Sequence, residues 1–127
     1  MRKPWLTLLS VAIVATLALA ACGDSDDDDD TDAANLTGTP VSMTEMEFDP
    51  ETLTVKAGEQ VEIALSNDGA TDHNMSIDEA DFDEDLDSND AESFTFTAPD
   101  SPGEYKIYCD VPGHEDAGMT ATLIVEE

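Results

Sequence analysis

The sequence predicts an all-β fold, specifically an antiparallel β-sandwich of about seven or eight strands. Three observations support this class. Apolar residues beyond residue 40 alternate with a period of two, and short clusters of turn-forming residues separate these stretches. Beyond the first 21 residues, no segment has the apolar stripe of an amphipathic helix. Regularly spaced short strands of this kind are typical of a sandwich.

The clearest predicted strands are QVEIALSN at 60–67, ESFTFT at 92–97 and MTATLIV at 119–125. In the first of these, Val61, Ile63 and Leu65 share one face. Weaker patterns predict further strands at 41–48, 52–56, 73–77 and 104–109. Turn signals lie between them at 57–58, 67–69 and 99–103, where glycine, proline, asparagine and aspartate are concentrated.

One segment interrupts this pattern. Residues 78–92, DEADFDEDLDSNDAE, contain nine acidic residues in fifteen positions. We predict an exposed loop or irregular turn that Phe82 and Leu86 pin to the core. The spacing of Asp81, Asp83, Asp85 and Glu92 also matches EF-hand calcium ligands, but Leu86 stands where that loop requires glycine.

The first 21 residues read as a signal peptide, because a short basic start precedes an apolar run that ends in small residues. The sequence LAAC at 19–22 resembles the lipobox of prokaryotic lipoproteins, which predicts that Cys22 is lipidated. The protein is then exported and anchored to the outer face of the cell membrane. An ordinary signal peptide and an uncleaved N-terminal anchor are the alternatives.

Residues 22–39 hold a run of aspartates without apolar periodicity, and we predict a disordered acidic tether that joins the lipid to a folded domain at 40–127. All 31 acidic residues but only two basic ones, Lys56 and Lys106, follow residue 21, so residues 22–127 carry a net charge of −29. This charge excludes nucleic acid as a partner. It suits a salt-rich environment, a basic docking partner, or both.

A second motif lies near the C-terminus, where the spacing is Cys109-x4-His114-x4-Met119. The other histidine, His73, opens a predicted strand. Two neutral imidazoles, one thiolate and a weak thioether are the ligands of a type 1 blue copper site. Taken one at a time, such residues are more often structural. If Cys22 carries lipid, however, Cys109 is a lone thiol in an exported protein, and metal binding explains it. A Cys22–Cys109 disulfide is the competing possibility.

Strand parity predicts the neighbours of this site. His73, Met75 and Ile77 share a face, which makes Met75 a core residue rather than a ligand. Asn74 is expected to brace the ligand loop or to donate a hydrogen bond to the thiolate. Tyr108 precedes Cys109 and is expected to point outward.

Three segments carry a resemblance to a known family: FDPETLTVKAGEQVEIALSN, DHNMSIDEA and PGEYKIYCDVPGHEDAGMTATLIV. Over residues 40–127 the chain resembles a cupredoxin of the plastocyanin/azurin family. The resemblance implies a Greek-key sandwich and one copper ion, Cu(I) or Cu(II), bound by His73, Cys109, His114 and Met119. The ligand loop is longer than that of plastocyanin proper and is closer to the auracyanin, rusticyanin and sulfocyanin types.

Four protein ligands leave no open position for a substrate, so the sequence predicts a one-electron carrier and not an enzyme. A copper carrier or chaperone with the same ligands is the alternative. His114 is the expected electron port, and Tyr108 marks a second route toward the acidic segment. We expect a monomer whose redox partners include a basic cytochrome c or an oxidase copper domain, steered by the acidic segment. The acids alternatively serve solvation alone.

Overall fold

The computed structural model describes residues 35–127. The predicted signal peptide, Cys22 and the aspartate run of the tether lie outside the described residues. The described part contains nine strands and one 3-10 turn at Asp78–Ala80. The strands are β1 Thr39–Thr44, β2 Glu47–Asp49, β3 Thr52–Lys56, β4 Gln60–Asn67, β5 His73–Ile77, β6 Phe82–Leu86, β7 Ala91–Thr97, β8 Gly103–Tyr108 and β9 Thr120–Glu126. No helix within residues 35–127 has the length and hydropathy needed to span a bilayer.

The strands form two sheets, and the predicted all-β sandwich is confirmed. One sheet has the order β2-β1-β4-β7 and the other has the order β3-β9-β8-β5-β6. Three predicted strands, at 52–56, 60–67 and 73–77, match β3, β4 and β5 residue for residue. The alternation of apolar and polar residues identified these strands because each strand has one face against the other sheet.

The sheets are mixed rather than wholly antiparallel. β1 pairs with β4 in parallel, and β3 pairs with β9 in parallel, while the remaining pairs are antiparallel. Alternation identifies the buried face of a strand but not the direction of its neighbour, so the sequence could not predict these two pairs. Gly38 permits the close entry into β1: its φ is +108°, and a Cβ there would lie 2.5 Å from the backbone carbonyl of Glu62.

The predicted strand at 41–48 is two strands. β1 ends at Thr44, and the chain reverses through Glu45 and Met46 so that β2 returns antiparallel to β1. Met46 has a φ of +64°, in the left-handed region that such a reversal uses. The apolar positions of both strands still face the core, which is why they read as one pattern.

The prediction of a loop for residues 78–92 is wrong over 82–86, and β7 already begins at Ala91. Residues 82–86 form β6, which pairs with β5 at the edge of the sheet. The predicted pinning is confirmed, because Phe82 and Leu86 are 6% and 5% exposed. The dense charge hid the strand from sequence reasoning, yet charged residues are what protects an edge strand from pairing with another chain.

The core lies between the two sheets. Apolar side chains from alternate positions of both sheets fill it, among them Met43, Ile63, Leu65, Met75, Ile77, Ile107 and Leu123, each at most 1% exposed. Burial of one such side chain contributes about 1.5–3 kcal/mol. The core therefore holds the ends of β5, β8 and β9 in fixed positions, and these ends carry the site described next.

Candidate metal centre

The sheet order brings the predicted ligands to one end of the molecule. His73 is the first residue of β5, Cys109 follows β8, and Met119 precedes β9. β8 lies between β9 and β5, with Tyr108 opposite Thr120 on one side and Ser76 on the other. The loop between β8 and β9 carries His114. His73 and His114, 41 positions apart in sequence, thus meet because the loop that carries His114 begins at the end of β8, the neighbour of β5.

Three donor atoms converge at this end. The Nδ1 atoms of His73 and His114 are 3.1 Å apart, and Cys109 Sγ is 3.5 Å from His114 Nδ1. Each residue offers a ligand atom within 4.8 Å of the other two, and no other such group of three occurs within residues 35–127. Ligands about 2.0–2.3 Å from one metal ion lie about 3.5 Å from each other. The spacing and the nitrogen and sulfur donors fit a bound metal ion.

Met119 belongs to the same end of the fold. Its side chain is fully buried. Its backbone N–H donates to the His114 carbonyl at 3.0 Å, and its own carbonyl accepts the Cys109 N–H at 3.2 Å. Backbone hydrogen bonds therefore join the two ends of the loop at Cys109 and Met119. They place Cys109, His114 and Met119 in one hydrogen-bonded unit.

Backbone hydrogen bonds hold the loop between β8 and β9. The N–H of His114 donates to Val111, that of Ala117 donates to Gly113, and that of Gly118 donates to Glu115, at 2.9–3.1 Å. Gly113 and Gly118 adopt positive φ values of 88° and 102°, which glycine adopts without strain. The ring of His114 is half-buried, whereas His73 and Cys109 are buried.

His73 occupies a very different environment. Its side chain is 1% exposed, and burial lowers its pKa below the ordinary value. The nearby His114 lowers the pKa further, while Glu45 and Asp72 oppose the shift. These influences together favour the neutral imidazole, and the neutral ring is the form that binds a metal.

Asn74 links β5 to the ligand loop through both its backbone and its side chain. Its N–H points to Cys109 Sγ at 3.4 Å, and its Oδ1 accepts the N–H of Asp110 at 2.6 Å. Its Nδ2 donates to Ser76 Oγ at 3.2 Å and to Asp83 Oδ1 at 2.8 Å. Asp83 belongs to β6, so the unpredicted edge strand supports the residues that orient the thiol. The sequence pointed to Asp83 only as part of an EF-hand-like spacing and not as a partner of Asn74.

A second buried asparagine shapes the approach to His73. Asn67 Nδ2 donates to the carbonyls of Thr71 and Leu86 at 2.9 Å, and its Oδ1 accepts the N–H of Gly69 at 3.0 Å. Ser88 Oγ donates to the Gly69 carbonyl at 2.6 Å. The Asn-Asp-Gly sequence had predicted only a turn. The structure makes Asn67 the residue that fixes the path of the chain from β4 to His73.

Tyr108 is half-buried and turned toward the acidic turn after β5. Its hydroxyl donates to Asp78 at 2.7 Å, and this bond raises the pKa of Tyr108 to about 12. The ammonium of Lys106 lies 4.3 Å from the centre of the Tyr108 ring and 2.5 Å from Glu115 in the ligand loop. Lys106, one of the two basic residues that follow residue 21, thus contacts both Tyr108 and the ligand loop.

The acidic residues that match EF-hand spacing do not form such a loop. Asp83 and Asp85 lie in the extended strand β6, and Glu92 lies in β7 of the other sheet. An EF-hand instead wraps twelve residues around one ion.

Known structures resemble this chain. Dithionite-reduced auracyanin from the photosynthetic bacterium Roseiflexus castenholzii is 22% identical, with a TM-score of 0.62 over 72% of this chain and 99% of that one. Auracyanin A from Chloroflexus aurantiacus, described as a blue copper protein, is 27% identical, with a TM-score of 0.55 over 68% and 99%. A chain of a heme-copper terminal oxidase dimer is 17% identical, with a TM-score of 0.56 over 70% and 65%. No curated protein matches in sequence.

A family model described as a cupredoxin-like domain matches residues 9–125, which is most of the chain. The match agrees with the sandwich and with the auracyanin structures. It also accounts for the nitrogen and sulfur donors at the end of the sandwich. The chain therefore belongs to the cupredoxin-like family, and its cofactor is a single copper ion.

Proposed function

We propose that the protein is a one-electron carrier with a mononuclear type 1 blue copper site and no enzymatic reaction of its own. The convergence of His73, Cys109 and His114 is the observation that carries this proposal. Copper in such a site cycles between Cu(II) and Cu(I). His73, Cys109 and His114 would hold the ion through their three converging atoms, and the thioether of Met119 would be a weaker fourth ligand.

The surrounding residues are suited to electron transfer. The core and the hydrogen bonds of Asn74 hold the donors in place, which limits the movement needed when the oxidation state of the copper changes. With four protein ligands assigned, no position is left for a substrate. The half-buried His114 connects the site to the surface and serves as the electron port.

We further propose a second route through Tyr108. This residue is adjacent to Cys109, and its hydroxyl contacts Asp78. Asp78, Asp81, Asp83 and Asp110 surround it in a shallow surface pocket. An acidic surface next to a ligand-bearing strand suits a cationic redox partner, such as a basic cytochrome c or an oxidase copper domain.

The cellular setting is part of the proposal. The lipobox-like LAAC sequence supports export, lipidation at Cys22 and attachment to the outer face of the cell membrane, with the acidic residues that precede β1 as a tether. A monomer that shuttles between membrane-associated redox partners fits this arrangement.

Electron transfer to a basic cytochrome c tests the function and the partner together. We expect rapid transfer whose rate falls as ionic strength rises, because charge complementarity acts chiefly on association. Asp78→Asn should weaken the salt dependence, whereas Glu62→Gln, exposed on β4 of the other sheet, should leave it nearly unchanged. A rate of electron transfer that does not depend on salt would contradict steering of the partner by the acidic surface. No electron transfer at all would contradict the function as an electron carrier.

The second candidate function is a copper carrier or chaperone, which the same donor set favours. Copper exchange separates the two. A copper carrier or chaperone should release copper rapidly to a competing chelator and absorb weakly in the visible range. A blue electron-transfer site should retain copper and show an intense thiolate-to-copper charge-transfer band.

A further inference from the structure

One buried polar atom at the site has no hydrogen-bond partner. His73 directs Nδ1 toward His114, and its other ring nitrogen, Nε2, is buried without a hydrogen bond to any of the described residues. A neutral imidazole that binds a metal through Nδ1 carries its proton on Nε2. A buried N–H without an acceptor is costly, so this atom requires an explanation.

Glu45 places a carboxylate beside this nitrogen. It lies in the reversal between β1 and β2, and its Oε2 is 3.5 Å from His73 Nε2. The carboxylate is held in place from the other side, because Oε1 accepts the N–H of Ala70 and Oε2 accepts the hydroxyl of Thr71 at 3.2 Å. A separation of 3.5 Å is at the outer limit of a hydrogen bond, so charge is the main component of the interaction.

Gly69 independently points to the same contact. A Cβ at this position would lie 2.9 Å from Glu45 Oε1 and also 2.9 Å from His73 Nε2. Any larger residue would therefore occupy the space through which the carboxylate and the imidazole approach each other. The bond from Asn67 Oδ1 to the Gly69 N–H keeps this small residue between the two groups.

We infer that Glu45 is a positioning residue for the metal centre: its carboxylate faces the Nε2–H of His73, fixes the tautomer and ring orientation, and biases the site toward Cu(II). Carboxylates behind metal-bound histidines act in this way in metal sites generally. A fixed negative charge one ring away from the metal favours the more highly charged ion. The redox part of this inference rests on the proposed function.

Reduction potentials of the copper-loaded protein test the inference. Glu45→Gln keeps the size and one carbonyl oxygen for Ala70 but removes the charge. We expect the ratio of Cu(I) to Cu(II) affinity to rise about tenfold, which corresponds to an increase of about 59 mV in the reduction potential for one electron. The matched control is Glu47→Gln, an exposed residue of β2, and it should change the ratio less than about threefold because it loses only a distant charge.

Thr71→Val separates positioning from simple support of the loop. This variant removes one of the two groups that hold Glu45 and leaves the Ala70 N–H and the charge in place. Its potential should stay near the wild-type value. If Thr71→Val shifts the potential as much as Glu45→Gln does, the loop explains the effect and the inference is overturned.

Proton NMR of the diamagnetic Cu(I) form provides a direct second readout. We expect the Nε2–H of His73 to exchange slowly in the wild type and at least about tenfold faster in Glu45→Gln. The inference is overturned if the wild type is blue but the Nε2–H of His73 exchanges equally fast in the wild type and in Glu45→Gln. It is also overturned if Glu45→Gln and Glu47→Gln have equal reduction potentials. A wild type that lacks the blue band would instead overturn the proposed function.

Discussion

The two histidines supply equivalent nitrogen atoms from contrasting parts of the molecule. His73 opens a strand whose five residues are all buried. Side chains surround it: Asn67 fixes the preceding turn, and Glu45 lies behind its ring. His114 lies in a loop held by short-range backbone bonds, and its ring is half-buried.

This contrast shows how one site combines rigidity with access. The His73 half is built into the sandwich, so its geometry depends on residues distant in sequence. The His114 half depends mainly on the local turns of one loop and reaches the surface. A carrier needs both properties, because fixed ligands limit rearrangement and an exposed edge allows contact with a partner.

The largest expected effect comes from deleting each imidazole in turn. His114→Gly and His73→Gly should both lose the blue absorption of the copper-loaded protein. Added imidazole should restore it in His114→Gly, because a half-buried cavity admits the free ring. It should not restore it in His73→Gly, where the position is 1% exposed. Visible titrations with imidazole measure this difference, and equal rescue of the two variants would contradict the proposed contrast.

A smaller effect is expected when the support of the His73 half is removed. Asn67→Ala leaves the carbonyl of Leu86 and the N–H of Gly69 without their side-chain partners. We expect the free energy of unfolding to fall by about 1–3 kcal/mol, the usual cost of an unsatisfied buried polar group. Denaturant titration of the metal-free protein measures it.

Gln60→Ala is the matched control for that experiment. Gln60 is exposed at the other end of the same strand, and its loss should change the free energy of unfolding by less than about 0.5 kcal/mol. If both variants lose equal stability, the hydrogen bonds of Asn67 do not have the role assigned to them.

The smallest expected effect concerns the thioether of Met119. Met119→Leu should keep copper and raise the reduction potential, whereas Met119→Gln should lower it. Met75→Leu is the control, because Met75 is equally buried but lies in β5 as a core residue. Voltammetry of the three variants measures the shifts. Potentials that do not move in either Met119 variant would remove Met119 from the ligand set.

Sequence reasoning reached much of this picture because its signals were local. The alternation in β3, β4 and β5 predicted those strands with their bounds. The donor types and the spacing of the loop predicted a cluster of His73, Cys109 and His114, and these residues do converge.

What sequence reasoning missed depends on contacts between distant residues. Phe82 and Leu86 were expected to touch the core, but the strand between them exists because it pairs with β5. The roles of Asp83 and Glu45 arise from that pairing and from the reversal after β1. One-dimensional patterns carry no information about which strand adds to an edge or which exposed carboxylate lies behind a ligand.

The visible absorption spectrum of the copper-loaded protein tests the central claim most directly. We expect an intense blue charge-transfer band that saturates at one copper ion per chain. The band should disappear in Cys109→Ser and persist in Cys22→Ser. A wild type without the band, or a band that survives in Cys109→Ser, would contradict the assignment of a blue copper site with Cys109 as its thiolate ligand.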